Sequence, residues 1–226
     1  MFDFRFHQIW RESEYIERLL SGMLLSIELT VVAGVLGFGL ALILATGRRS
    51  MSQPWSLVCA AYIEFIRNTP LIVQLFFVAF GLPMLLEYRW PFVGSALLAL
   101  VINFSAYFAE IIRAGLDSLS RGQIEAGLAL NLNGRQRFFL VVLPQALANV
   151  YPSLVSQFVF LFLTTGIISE IGVEELTWSG RFVADRTFRD FEVYVVLTVL
   201  YVLIALIFRL LLTRLQPRLF PWWKSR

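Results

Sequence analysis

Apolar positions along this chain form long blocks. They neither alternate nor recur as a narrow stripe. Five blocks stand out, at about 19–46, 56–86, 92–113, 141–168 and 193–215, each as long as the roughly 20 residues a helix needs to cross the bilayer hydrocarbon. They predict an all-α polytopic membrane protein with five crossings and its termini on opposite sides. Pro70 and Pro83 fall in the second block and Pro144 and Pro152 at the start of the fourth. Kinks or breaks are expected there, because proline lacks the helical donor and crowds the carbonyl four residues back. Carbonyls freed inside a membrane need partners or a water-lined cavity. The first block is too long for the core of a signal peptide and carries Glu17 and Arg18 at its entry, which marks a retained helix. Residues 1–18 read as an extracytoplasmic interfacial segment, with Phe2, Phe4, Phe6, Ile9 and Trp10 toward lipid. Residues 19–226 read as one transmembrane domain without internal repeats or linkers.

Composition agrees: 58% of residues are hydrophobic, 15% are charged, and the mean hydropathy is +0.72, so lipid is the solvent. A net charge of +3 would suit nucleic acid, but its placement suits a membrane better. Arg48, Arg49, Arg113, Arg121, Arg135, Arg137, Arg209, Arg214, Arg218, Lys224 and Arg226 flank the blocks on one side. Arg5, Arg11, Arg18, Arg89, Arg181, Arg186 and Arg189 lie on the other, diluted by acids. The positive-inside rule then places the N-terminus outside and the C-terminus in the cytoplasm, with no role for nucleic acid. Cys59 and His7 are each the only residue of their kind, so no disulfide, thiolate cluster, paired-histidine metal motif or nucleophile–base pair is expected, and no catalytic residue is assigned. Gly34, Gly37 and Gly39 lie inside a membrane block, where small residues serve helix packing. With no GxxxxGK[ST] segment, the chain is expected to bind no ATP by that device and no cofactor of its own.

Charges within membrane blocks are costly and invite a functional reading. Glu28, Glu64, Arg67 and Glu110 qualify. Glu64 and Arg67, three residues apart, share a helix face and are expected to neutralise one another. A polar path is expected from Glu64, Arg67, Asn68, Thr69, Asn103, Tyr107, Gln157, Thr164 and Thr165, several of them beside proline breaks where backbone dipoles are exposed. Bonding between helices is the alternative for each, as it is for Gln74. Between the third and fourth crossings, Ser120 followed by Gln123 reads as a capping box that starts a short helix at Arg121. Ile124, Gly127, Leu128 and Asn131 would share a face, and Asn133-Gly134 would turn into a second helix. An ordinary loop helix on the membrane surface fits the same pattern.

Glu125-Ala126-Gly127, then Asn131, then Val141, Leu143 and Pro144 closely resemble the cytoplasmic EAA loop of ABC importer permeases, whose spacing they match. Arg67-Asn68-Thr69-Pro70-Leu71-Ile72-Val73-Gln74, the stretch Ala106 to Gln123 and Ile171-Gly172-Val173-Glu174-Glu175-Leu176 are similar to the polar amino acid branch of that family. The resemblance implies a permease subunit of the bacterial inner membrane that forms the path for a polar amino acid or related compound. It also implies a second permease, two cytoplasmic ATPases that hold ATP and Mg, and an extracytoplasmic solute-binding protein. Gln123, Glu125, Ala126, Gly127, Leu128 and Asn131 would form the helix that couples to the ATPase. Asn131 replaces the family's glycine, and asparagine tolerates a left-handed backbone. Leu163-Thr164-Thr165-Gly166-Ile167 stands where many relatives have Lys-Asp-Thr-Ser-Leu, which favours a heterodimer over a homodimer. The alternative of an ion-gradient carrier or channel calls for internal repeats or an acid/His relay, and neither is seen.

Overall fold

The computed structural model describes residues 4–49, 52–87 and 90–223; Phe2, Arg89, Lys224 and Arg226 lie outside them. The first block is α1 (Ser13–Arg48), a 36-residue helix whose rise of about 54 Å exceeds the ~30 Å of hydrocarbon, so its ends reach into water. It begins ahead of residue 19, and Arg18 on its second turn bonds Glu174 at 3.0 Å. Phe4, Phe6 and Trp10 are exposed as expected, but Ile9 is fully buried. It packs in a cluster with Tyr15, Leu19, Phe162 and Val183, so that side chain faces protein rather than lipid.

The second block is broken into α2 (Gln53–Arg67), α3 (Leu71–Phe76), a π-helical turn (Phe77–Gly81) and α4 (Leu82–Leu86), with a bend of 105° between α2 and the α3–α4 segment. Next come α5 (Phe92–Asp117), α6 (Arg121–Ala129), α7 (Gly134–Arg137), a second π turn (Phe138–Val142) and α8 (Leu143–Thr164). A 3-10 stretch (Thr165–Ile171), α9 (Leu176–Thr187) and α10 (Asp190–Leu219) complete the described residues, which contain no strand. Ser13–Arg48, Phe92–Asp117, Gly134–Ile171 and Asp190–Leu219 are each long and apolar enough to cross a membrane, and the bent α2–α4 segment has the length and apolarity of a broken fifth span or of a re-entrant loop. Pro83 and Pro144 each come just after a π turn, whose wider i→i+5 geometry absorbs the missing donor. Pro152 is carried inside α8.

The central helix is α5. Its Leu100, Phe104, Phe108 and Ile112 are fully buried, in one cluster with Ala33, Ala41 and Ala45 of α1 and Ile63 of α2. Small residues on α1 permit close packing on both neighbours: a Cβ at Gly37 would lie 3.5 Å from Ser105 N on α5, and one at Gly34 2.2 Å from Phe158 Cε1 on α8. Gly34 and Gly37 therefore belong to packing, whereas a Cβ at Gly39 would meet nothing within 4 Å, so the packing reading fails there.

Candidate functional site

Pro70 has no N–H and pushes the residue before it toward extended backbone, so α2 stops and its last carbonyls lose their helical donors. Gln74, one turn into α3, replaces them. Its Nε2 lies 2.8 Å from Ile66 O, 3.2 Å from Thr69 O and 2.6 Å from Thr69 Oγ1, and its Oε1 accepts from Asn103 Nδ2 at 2.9 Å. Gln74 and Asn103 are both buried, and each amide has a partner, which is the condition for polar burial. The break is thereby fastened to α5.

Beside it lies a pocket of about 530 Å³, walled by Arg67, Asn68, Thr69, Pro70 and Leu71 at the break, Asn103, Phe104 and Tyr107 on α5, and Phe160 and Thr164 on α8. Of the residues expected to form a polar path, Arg67, Asn68, Thr69, Asn103, Tyr107 and Thr164 meet here. Glu64, Gln157 and Thr165 do not line it. Thr165 is fully buried and its hydroxyl donates to Phe162 O at 2.8 Å. Gln157 Nε2 is buried with no partner among the described residues. The aromatic walls, Phe104 and Phe160, were not legible in sequence, because an aromatic residue in an apolar block reads as core or lipid face. Phe160 is 54% exposed, so the pocket is open on that side.

The expected Glu64–Arg67 ion pair does not form among the described residues. Sharing a helix face permits that contact, but each charge has a partner on a packed neighbour. Glu64 Oε1 lies 3.7 Å from Arg48 Nη2 on α1. Arg67 Nη1 lies 4.0 Å from Glu110 Oε2 on α5, and its Cζ is 5.7 Å from the Tyr107 ring centroid. Glu110 is held more closely by others: Arg113 Nε donates to both its oxygens at 3.1 Å, and Arg48 Nη1 donates at 3.0 Å. Arg49 and Arg113 both bind Asp117. This network joins α1, α2 and α5, and Arg67, its most loosely held guanidinium, is the one charge lining the pocket.

Helix α6 starts at Arg121 as expected, but the Ser120 side chain makes no capping bond, and Gln123 Oε1 instead accepts from Gln145 Nε2 at 3.0 Å. The capping box forms one helix later: Asn133 Oδ1 accepts from Gln136 N at 2.9 Å and Gln136 Oε1 from Asn133 N at 3.0 Å. The Asn-Gly turn signal masked the same spacing there. Asn131 is left-handed, at φ 56°, as its asparagine allows, and ends α6. Gln123, Glu125, Ala126 and Leu128 are exposed, whereas Gly127 is buried: a Cβ on it would lie 3.0 Å from Arg137 Cγ. Gly127 thus seats α6 on α7 and does not share the outward face of Leu128.

Glu175, which in sequence is only one acid of an acidic pair, is fully buried and joins three helices. It caps α9, with Oε1 accepting from Trp178 N at 3.0 Å, and its Oε2 accepts from Ser26 Oγ of α1 at 3.2 Å and Tyr201 Oη of α10 at 3.0 Å. Burial raises its carboxyl above the ordinary range, against the opposing pull of these hydrogen bonds. An acid directly before a helical apolar residue was the available signal.

Comparison with known proteins adds the lineage. Residues 37–221 match the family described as binding-protein-dependent transport system inner membrane component. The glutamine transport system permease protein GlnP of Escherichia coli (strain K12) is 35% identical over 197 residues, covering 85% of this chain and 90% of that protein. The octopine transport system permease protein OccM of Rhizobium radiobacter is 33% identical over 211 residues, covering 90% and 86%. The structure of an amino acid ABC transporter with histidines superposes with a TM-score of 0.85 at 33% identity, covering 96% of this chain and all of that one. The MetNI methionine transporter in an inward-facing conformation, at 18% identity and a TM-score of 0.78 over 92% of this chain and 99% of that one, shares the fold.

Proposed function

The chain belongs to the family of binding-protein-dependent transport system inner membrane components and is a permease subunit of an amino acid ABC importer, and we propose that the pocket at the Pro70 break is its share of the solute path and α6 its contact with the ATPase. The subunit is embedded in the membrane and is not itself an enzyme; ATP is hydrolysed by separate ATPase subunits. The observation that carries the path is the Gln74-braced break, which holds Arg67, Asn68 and Thr69 opposite Asn103, Tyr107 and Thr164.

A polar amino acid or related compound suits that wall. Arg67 receives a carboxylate, the hydroxyl and amide groups pair with the remaining polar atoms, and the rings of Phe104, Tyr107 and Phe160 exclude water. The ammonium of such a solute needs an acceptor that this wall does not supply as a charge. A second, non-identical permease closing the open side would supply it, which favours a heterodimer. The N-terminus lies outside, where a solute-binding protein delivers, and the C-terminus and α6 lie in the cytoplasm. ATP and Mg on two ATPases drive their closure, which shifts α6 and biases the helices between outward- and inward-open states. That bias requires contacts that differ between the two states. The test is uptake of labelled polar amino acids into vesicles holding this chain with its partner permease, ATPases and binding protein. Uptake should require ATP, and Arg67→Gln should raise KM for the solute. Uptake that persists without the ATPases and tracks an imposed ion gradient would favour the secondary carrier.

A further inference from the structure

The ion pairs that tie α1, α2 and α5 together do not balance. They link four guanidiniums, of Arg48, Arg49, Arg67 and Arg113, to three carboxylates, of Glu64, Glu110 and Asp117, so one positive charge of the network has no carboxylate to itself. Distance identifies it. Glu110 accepts from Arg113 Nε at 3.1 Å and from Arg48 Nη1 at 3.0 Å, whereas Arg67 Nη1 stands 4.0 Å from Glu110 Oε2, beyond hydrogen-bond length. Asp117 is shared by Arg49 and Arg113, and Glu64 faces Arg48. Arg67 is also the charge that lines the pocket. Its Cζ lies 5.7 Å from the ring centroid of Tyr107, another lining residue, and attraction to the ring face keeps the guanidinium at the pocket wall whichever anion it meets.

An excess cation where charge is costly calls for an anion. Within the network Glu110 offers Arg67 only an outer, shared contact. The carboxylate of an amino acid in the pocket would match four cations with four anions and engage the guanidinium fork directly. Arg67 can make that change without orphaning Glu110, because Arg113 and Arg48 keep hold of it. We propose that Glu110 is a tethered competitor of the solute: it holds Arg67 while the pocket is empty, gives it up to the solute carboxylate, and takes it back on release. This deepens, and rests on, the reading of the pocket as part of the solute path. Glu110 is absent from the pocket lining, so it is a positioning residue that sets affinity through Arg67. A transported molecule must be held weakly enough to leave, and an exchange of partners secures this while leaving no charge unmatched in the empty state.

The test is equilibrium binding of radiolabelled glutamine, arginine and glutamate to the assembled permease–ATPase complex in nanodiscs, without the solute-binding protein, so that the affinity read is the pocket's own. The Arg67 and Glu110 side chains are 35% and 24% exposed, so the contact given up is of the weak, partly solvated kind, and its removal should tighten binding by about two- to fivefold. Glu110→Gln should lower the Kd by that factor, whereas simple damage to the pocket wall would raise it. The gain should vanish for a probe whose carboxylate is replaced by a carboxamide, and in an Arg67→Gln background. Asp117→Asn removes a carboxylate whose partners are Arg49 and Arg113 and should leave the Kd unchanged. Glu110→Asp keeps the charge but draws it back by one methylene; it should give a smaller gain in the same direction, and it decides the matter should Glu110→Gln fail to assemble. A Kd unchanged or raised by the Glu110 variants, an equal gain for the carboxamide, or an equal gain from Asp117→Asn would overturn the exchange while leaving the transport reading intact. Binding of none of the three amino acids, to the wild type or the variants, would instead overturn the pocket as a solute site.

Discussion

Gln74→Leu is the sharpest perturbation of the broken helix. The substitution keeps the volume near that of the native side chain but removes the donors to Ile66 O and Thr69 O and the acceptor for Asn103 Nδ2. Ile66 and Asn103 are buried, so two polar groups lose their partners away from water, at about 1–3 kcal/mol each. Thr69 is half-exposed and recovers part of its loss from water. The expected cost is roughly 2–6 kcal/mol, a large share of the ~5–15 kcal/mol that separates folded from unfolded domains. Because the lost bonds hold the pocket wall, the solute KM should rise together with a fall in the thermal midpoint of the purified complex. Asn103→Leu combined with Gln74→Leu should cost less than the sum of the two single changes, since the second removes a group the first had orphaned. A Gln74→Leu complex with wild-type midpoint and KM, or strictly additive single and double variants, would refute the bracing role.

Glu64→Gln and Arg67→Leu should couple only weakly, because their partners are Arg48 and Glu110 and they meet only through the Arg48–Glu110 bond; a double variant milder than either single one, in uptake or assembly, would restore direct pairing. Gly127→Ala should be nearly neutral, since the Arg137 side chain it meets at 3.0 Å can shift, whereas Gly127→Trp overpacks α6 against α7 by about 1–3 kcal/mol. Gly127→Trp should therefore lose solute-stimulated ATP hydrolysis while still inserting, and wild-type turnover would exclude α6 from coupling. At Glu175, the folded chain holds the proton more tightly than the unfolded chain, so that contribution to stability is present at low pH. It is lost as pH rises from the ordinary carboxylate value through the raised one. Glu175→Gln should flatten this part of the pH profile of thermal unfolding, and an unchanged profile would contradict the buried acid's role.

Four spans and the bent α2–α4 segment were legible because hydrocarbon demands long apolar blocks and tolerates few alternatives. The break at Pro70 and the π turns ahead of Pro83 and Pro144 were legible because a missing donor has local consequences. Partner choice was not. Glu64 and Arg67 share a helix face, yet the closer charges come from α1 and α5, and sequence spacing carries no information on which helices pack together. Most of the pocket's polar wall was visible as hydrophilic residues in apolar surroundings, whereas Phe104 and Phe160 look like any other buried aromatic until α5 and α8 are placed. The capping box at Asn133 and Gln136, and the inward turn of Gly127, depend on how α6 and α7 fold onto each other.

Photocrosslinking from a single probe at position 128 tests the account most directly, because Leu128 is 56% exposed on α6 and points away from the Gly127–Arg137 packing surface. In vesicles containing the assembled importer, the probe should crosslink to the ATPase subunit, change in yield when ATP is added, and be reached by impermeant reagents only from the cytoplasmic side. Crosslinks confined to lipid and indifferent to ATP, or labelling of position 128 from the outer side, would contradict both the coupling contact and the orientation.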